Sequence, residues 1–170
     1  MDLAEMDPAA DERTMLLGFL DRHRDRFRRR CSGLSAAQLN TPQPPSDMTL
    51  GGMMKHLAYV ESWWTTAVLL GREQPEPWLS VDWDADEDWD WHSAADDTPE
   101  QLRELYEAEV TAADAIIAAA ALDDRAVRPR GHDGQHVNLR WILVHLIEEY
   151  AQHNGHADLI RESIDGQTGN

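Results

Sequence analysis

The sequence predicts an all-α four-helix bundle with a long Trp/Asp-rich connector between its second and third helices. Three observations carry that expectation. Four runs repeat apolar residues at helical spacing, small polar caps open them and glycine closes two of them, and no internal repeat or Gly-rich phosphate loop points to another architecture. Residues 1–10 hold acidic and proline breaks without periodicity and read as a lead-in. Residues 11–166 read as one bundle and residues 167–170 as a tail.

The first helix is expected from about Asp11 to Cys31, with Met15, Leu16, Phe19, Leu20, His23 and Phe27 at helical spacing. Its Arg22 to Arg30 cluster reads as a solvated outer face. Ser35 to Leu39 suits a short helical turn, and Thr41-Pro-Gln-Pro-Pro45 is extended because proline restricts the residue before it. A second helix should begin near Ser46 to Thr49 and continue through Met53, His56, Leu57, Val60, Trp63 and Trp64 to Leu70, with Gly71 as its stop. Gly51 and Gly52 each weaken that helix by about 1 kcal/mol relative to alanine, which implies close packing near His56.

From Arg72 to Asp97 the composition changes. Trp78, Trp83, Trp89 and Trp91 stand among nine acidic residues from Glu76 onward, and within the stretch no Lys or Arg follows Arg72. Tryptophans at that density imply packing onto the bundle, as a lid or as ring faces covering core edges. The third helix opens on Thr98-Pro99-Glu100-Gln101, a capping box with proline at the first helical position, and runs to about Ala121. A second connector, Leu122 to Val137, carries Arg125, Arg128, Arg130, His132 and His136, and its histidines read as exposed. The fourth helix starts near Asn138 and ends near Ile164, before Gly166.

At 170 residues the chain is long enough to bury a core without staples. A formal charge of -17 argues against nucleic-acid or anionic-membrane partners, which need clustered Lys and Arg. The lone Cys31 forms no internal disulfide, no stretch reaches the length of a membrane span, and the N-terminus is unlike a signal peptide. A cytoplasmic protein is the expectation. Dimerisation suits such a bundle, and no stripe in the sequence specifies it.

The chemistry concentrates on the fourth helix. His145, Glu149, His153 and His156 fall within an arc of roughly 80°, shared with Ile142, Leu146, Ile160 and Ile164, while Glu148, Gln152, Asp158 and Glu162 face the other way. Ionisable groups aimed at a core cost several kcal/mol unless they are paired or hold a metal. Glu149 and His153, at i and i+4, lie nearest the centre of that arc, and the second helix offers one inward ionisable group, His56. Imidazole and carboxylate are ligands for zinc and similar divalent ions, so His56, Glu149 and His153 form the expected metal site. Each has a plainer explanation: His56 as a hydrogen-bonded core histidine, Glu149 paired with an arginine of the first helix, and His153 bonded to a backbone carbonyl. One metal accounts for all three together. His156 competes with Glu149 as third ligand, and His145 reads as a bystander.

The segments Gly51-Gly-Met-Met-Lys-His56-Leu-Ala-Tyr-Val-Glu61-Ser-Trp-Trp64 and Val144-His-Leu-Ile-Glu-Glu149-Tyr-Ala-Gln-His153-Asn-Gly-His156 resemble the DinB-like superfamily, and more narrowly its actinobacterial branch labelled as a domain of unknown function. The family's motif is a histidine early in the second helix and an H-x-x-x-H pair late in the fourth. Here Glu149 stands in place of the first member of that pair, as in the mycothiol-dependent maleylpyruvate isomerases of the superfamily. The resemblance implies a divalent metal, zinc or nickel most often, and S-transfer or isomerisation with a low-molecular-weight thiol such as mycothiol or bacillithiol. On that basis the chain is expected to be a metal-dependent thiol S-transferase acting on small electrophiles, with His156 orienting a ligand or accepting a proton. Arg128, Arg130 or Arg161 would hold a substrate carboxylate, while the acidic connector would disfavour anions approaching from its side. The alternative is a non-catalytic metal or small-molecule binder of a stress response, whose site a fourth protein ligand would close. Metal-assisted hydrolysis ranks last, because Glu148 faces away and leaves no base.

Overall fold

A computed structural model describes residues 7–131 and 134–168. Each helix begins where its sequence supplies a cap. Asp11 accepts from the Thr14 amide to open α1, Glu12–Cys31, and the Ser35/Gln38 capping box opens α2, Ala36–Leu39. Thr49 caps α3, Leu50–Ser62, which widens without a break into a π-helical segment, Trp63–Leu69. After the connector's short α4, Trp89–His92, the Thr98/Gln101 capping box and Pro99 start α5, Pro99–Ala119. Asn138 caps α6, Leu139–Asp165, and Gly166 ends it at φ 76°, a left-handed turn that glycine adopts without strain. Among the described residues β pairing is confined to the isolated bridges Arg125–Asn138 and Arg130–Gln135. The fold is therefore an all-α, DinB-like four-helix bundle.

α1 packs chiefly on α6, and α3 on α5. Leu20, Phe27, Met53, Leu57, Leu102, Ile142 and Leu146 fill the space between them and are fully buried or nearly so. Each contributes roughly 1.5–3 kcal/mol by leaving water.

The arginines of α1 do not form the solvated face that their sequence run implies. Arg24 is 1% exposed and grips Glu61 of α3 with Nε–Oε1 at 2.6 Å and Nη2–Oε2 at 2.7 Å, and its Nη1 reaches Asp114 of α5 at 2.7 Å. The Tyr150 hydroxyl of α6 donates to Glu61 at 2.9 Å and lies 2.9 Å from the Tyr106 hydroxyl of α5. All four long helices thus meet at one buried carboxylate. Arg28 pairs with Glu107, and Arg30 with Asp158. A run of like charges looks solvated in sequence, and Arg29 is exposed and paired with Asp25 of its own helix, but Arg24, Arg28 and Arg30 are met by acidic partners on three other helices.

The Trp/Asp-rich connector packs onto the bundle. Trp78 is buried and donates its indole N–H to Glu109 of α5 at 2.8 Å. Lys55 of α3, itself buried, bonds Asp97 at 2.5 Å and lies 4.5 Å from the ring centre of Trp89. Two short 3₁₀ turns, Trp78–Ser80 and Ser93–Asp96, flank α4. The second connector is pinned to the end of the π segment, where Val127 and Arg128 donate their amides to Leu69 and Val68.

Candidate metal centre

His56 lies on α3, where the helix packs beneath the connector, and Glu149 and His153 lie one turn apart on α6. One ligand atom from each of the three falls within 4.8 Å of the others, and among the described residues no other His, Cys, Asp or Glu joins such a group. The expected metal ligands are therefore brought together. Donors about 2.1 Å from a tetrahedral ion stand roughly 3.4 Å apart, so closure around an ion needs only side-chain adjustment. His153 is buried, its Nδ1 has no hydrogen-bond partner, and its Nε2 is 3.6 Å from Glu149 Oε2. Two imidazoles and one carboxylate, with a buried imidazole nitrogen left unsatisfied, fit a divalent ion.

The plainer explanations fare differently. The arginines Arg24, Arg28, Arg29 and Arg30 of α1 are paired with other carboxylates, so Glu149 is left to histidines. The His153 imidazole first, and the positive charges of His145, His153 and His56 with it, hold the Glu149 carboxyl below its ordinary range against the opposing effect of burial. Glu149 is therefore ionised near neutral pH and stands ready as an anionic donor.

His145 is not the bystander that its place on the helix margin implies. Its Nε2 sits 3.3 Å from Glu149 Oε1 and its Nδ1 3.3 Å from Glu148 Oε2. The ring is stacked on Trp141, centroids 5.0 Å apart, and Trp64 of the π segment meets its edge at 4.7 Å. His145 therefore faces one oxygen of Glu149 while His153 faces the other. His156 stands outside the donor group, its ring 5.7 Å from that of His153 and its Nδ1 buried without a partner. Burial first, and the His153 charge second, lower its pKa, so the ring is neutral at pH 7 and able to accept a proton.

Two neighbours of the site were not legible as such in the sequence. Asp90 Oδ2 lies 2.7 Å from His56 Nδ1, and Trp91 stacks on the His56 ring at 4.6 Å with 26° between planes. Both belong to α4. Trp91 also approaches His153, at 5.6 Å. The only sequence signal for them is the tryptophan density of the connector. The close packing inferred at Gly52 is real: a Cβ there would lie 3.0 Å from Trp91 Cε3.

The candidate substrate arginines separate. Arg161 is buried and donates to the carbonyls of Arg30 and Ser32 at the end of α1, so it is a helix clamp and not a solvated or substrate-facing residue. Arg130 lies over the Trp141 ring at 5.1 Å, at the far end of the Trp141–His145–Glu149 stack. Arg128 is held by its backbone amide to Val68. His136 is exposed, with Nδ1 2.9 Å from the Ala126 carbonyl, and His132 lies outside the described residues. Among the described residues no helix is long and apolar enough to cross a membrane.

Comparison with solved structures finds a conserved protein from Enterococcus faecalis, 23% identical, covering 94% of this chain and 100% of its own, with a TM-score of 0.65. That likeness shows the fold. The curated proteins give no significant match. The family described as mycothiol-S-transferase matches residues 15–166, a span that begins in the first turn of α1 and includes the rest of the bundle and every residue of the donor group. The chain belongs to the mycothiol-S-transferase family, part of the DinB-like superfamily.

Proposed function

We propose that the protein is a metal-dependent S-transferase that joins a low-molecular-weight thiol of the mycothiol type to small electrophiles. The observation that carries the reading is the His56–Glu149–His153 donor group, found in a chain of this family. Two imidazoles and a carboxylate suit a borderline ion such as zinc or nickel. An ion held there supplies a Lewis acid that lowers the pKa of a thiol and makes its thiolate accessible near neutral pH.

The chain's own residues do the rest. In the transfer the S–H bond breaks, its proton passes to the neutral His156 ring, and the sulfur electron pair forms the new C–S bond. A leaving group, where the electrophile has one, departs with the electrons of the bond it loses. His145 keeps Glu149 aimed inward through Oε1. Trp91 covers His56 and His153 on one flank, and Trp64 and Trp141 flank His145 on the other, so aromatic rings border the cluster on two sides. The acidic connector repels anions on the Trp91 flank, and Arg130 above Trp141 makes the opposite flank the side for a substrate carboxylate. A thiol cosubstrate and the unpaired Cys31 are in keeping with a reducing, cytoplasmic compartment for the reaction.

A non-catalytic binding site would be closed by a fourth protein donor, and His156 stands outside the group. Elemental analysis of untagged protein should find about one divalent ion per chain, lost in His56→Ala and in His153→Ala. Metal-loaded protein should give a thioether product by mass spectrometry with mycothiol and a panel of electrophiles. Full occupancy in both variants would refute the metal site, and loaded protein that makes no conjugate would refute the transferase.

A further inference from the structure

We propose that Asp90 is the positioning carboxylate of this centre, fixing His56 as the Nδ1–H tautomer so that Nε2 is the donor nitrogen, and that metal binding is thereby coupled to docking of the connector. The inference rests on His56 being a metal donor and adds a residue from outside the four long helices.

Asp90 is 3% exposed, and its Oδ2 lies 2.7 Å from His56 Nδ1. A carboxylate accepts hydrogen bonds and does not donate them, so the shared proton resides on Nδ1 and the lone pair is left on Nε2. The hydrogen bond sets the direction of the imidazole, and the Trp91 stack at 4.6 Å sets its plane. Consecutive residues of α4 thus remove both freedoms of the ring. The room for this is built into α3: at Gly52, one turn before His56, a Cβ would stand 3.0 Å from Trp91 Cε3 and 3.2 Å from the Trp91 carbonyl. The neighbouring Lys55 holds the flanks of α4 through Asp97 and Trp89. Outer partners of this kind orient a ligating histidine and raise its basicity. Linkage makes the effect reciprocal: if a docked connector strengthens metal binding, bound metal strengthens docking by the same factor.

The test uses the full-length protein and zinc itself, titrated in competition with a chromophoric chelator, together with long-range ¹⁵N spectra of His56 in the metal-free state. Asp90→Ala should weaken zinc binding about 10–100-fold. Asp90→Asn, whose Oδ1 still accepts from Nδ1–H, should lose less. His56 should appear as the Nδ1–H tautomer in the wild type and lose that preference in Asp90→Ala. Trp78→Phe, which breaks the connector's bond to Glu109 and leaves Asp90 intact, should lower the melting temperature and weaken zinc binding by clearly less than Asp90→Ala does. The proposal is overturned by affinity within twofold of wild type in Asp90→Ala, by an Nε2–H tautomer in the wild type, or by an equal loss in Trp78→Phe. A wild type that binds no zinc would instead overturn the metal reading, and the tautomer spectra would then decide by themselves whether Asp90 holds His56.

Discussion

Replacing Arg24 with alanine should destabilise the fold by about 3–5 kcal/mol, because it strands a carboxylate in the core. Glu61 is 0% exposed, and two of its hydrogen bonds come from Arg24, at 2.6 and 2.7 Å. In the variant the Tyr150 hydroxyl is the remaining donor of the cluster, and one neutral hydrogen bond does not offset the desolvation of a full charge. The buried aliphatic stem of Arg24 is lost as well. For a chain of this size each kcal/mol moves the midpoint by roughly 2–4 °C, so the melting temperature should fall by about 6–20 °C. Urea unfolding followed by circular dichroism gives the free energy directly, with an unchanged slope expected. The double variant Arg24→Met with Glu61→Leu removes both charges and should recover most of the loss, a non-additivity that marks a coupled pair. A loss below about 1 kcal/mol in Arg24→Ala, or a double variant as unstable as the single one, would refute the argument.

The same reasoning extends to three other positions. Burial first, and the Glu61 charge with it, raise the Glu109 pKa against the lowering effect of the Trp78 indole, so the folded state binds its proton more tightly than the unfolded state does. Stability from this group is complete below the ordinary carboxyl range and is lost as pH rises through the raised value. Glu109→Gln keeps an acceptor for Trp78 and should gain on the order of 1 kcal/mol over wild type at about pH 7.5, with no gain near about pH 4; thermal melts at both values check the sign. Gly52→Ala should lower stability, since a clash with Trp91 costing about 1–3 kcal/mol outweighs the roughly 1 kcal/mol gain in helix propensity; an altered near-UV circular dichroism spectrum should accompany the loss. Cys31 is 6% exposed and burial pushes its thiol pKa up to about 12, so a disulfide reagent should label native protein only as fast as the chain opens, and faster in Arg24→Ala. Equal labelling rates in folded and urea-unfolded protein would contradict that burial.

The amino-acid sequence by itself determined the four long helices, their caps and the grouping of His56, Glu149 and His153 as candidate donors. Caps are local: Asp11, Thr49, Thr98 and Asn138 each satisfy an amide three residues on, so position along the chain suffices to find them. The donors were legible because a 3.6-residue period puts Glu149 and His153 on the apolar face of one helix, and His56 is the inward ionisable group of another. Pairing across helices has no such period. Whether Arg24 is solvated, whether Arg161 faces substrate or clamps the end of α1, and which oxygen of Glu149 meets His145 depend on what the neighbouring helix presents at that height. Asp90 and Trp91 are the clearest case. In sequence they are one acid and one indole among many in a connector, and only the docking of that connector on α3 sets them against His56. Burial and partner choice are properties of the packed whole, so the tertiary structure decided which of the chain's many charges are surface and which surround the candidate donor group.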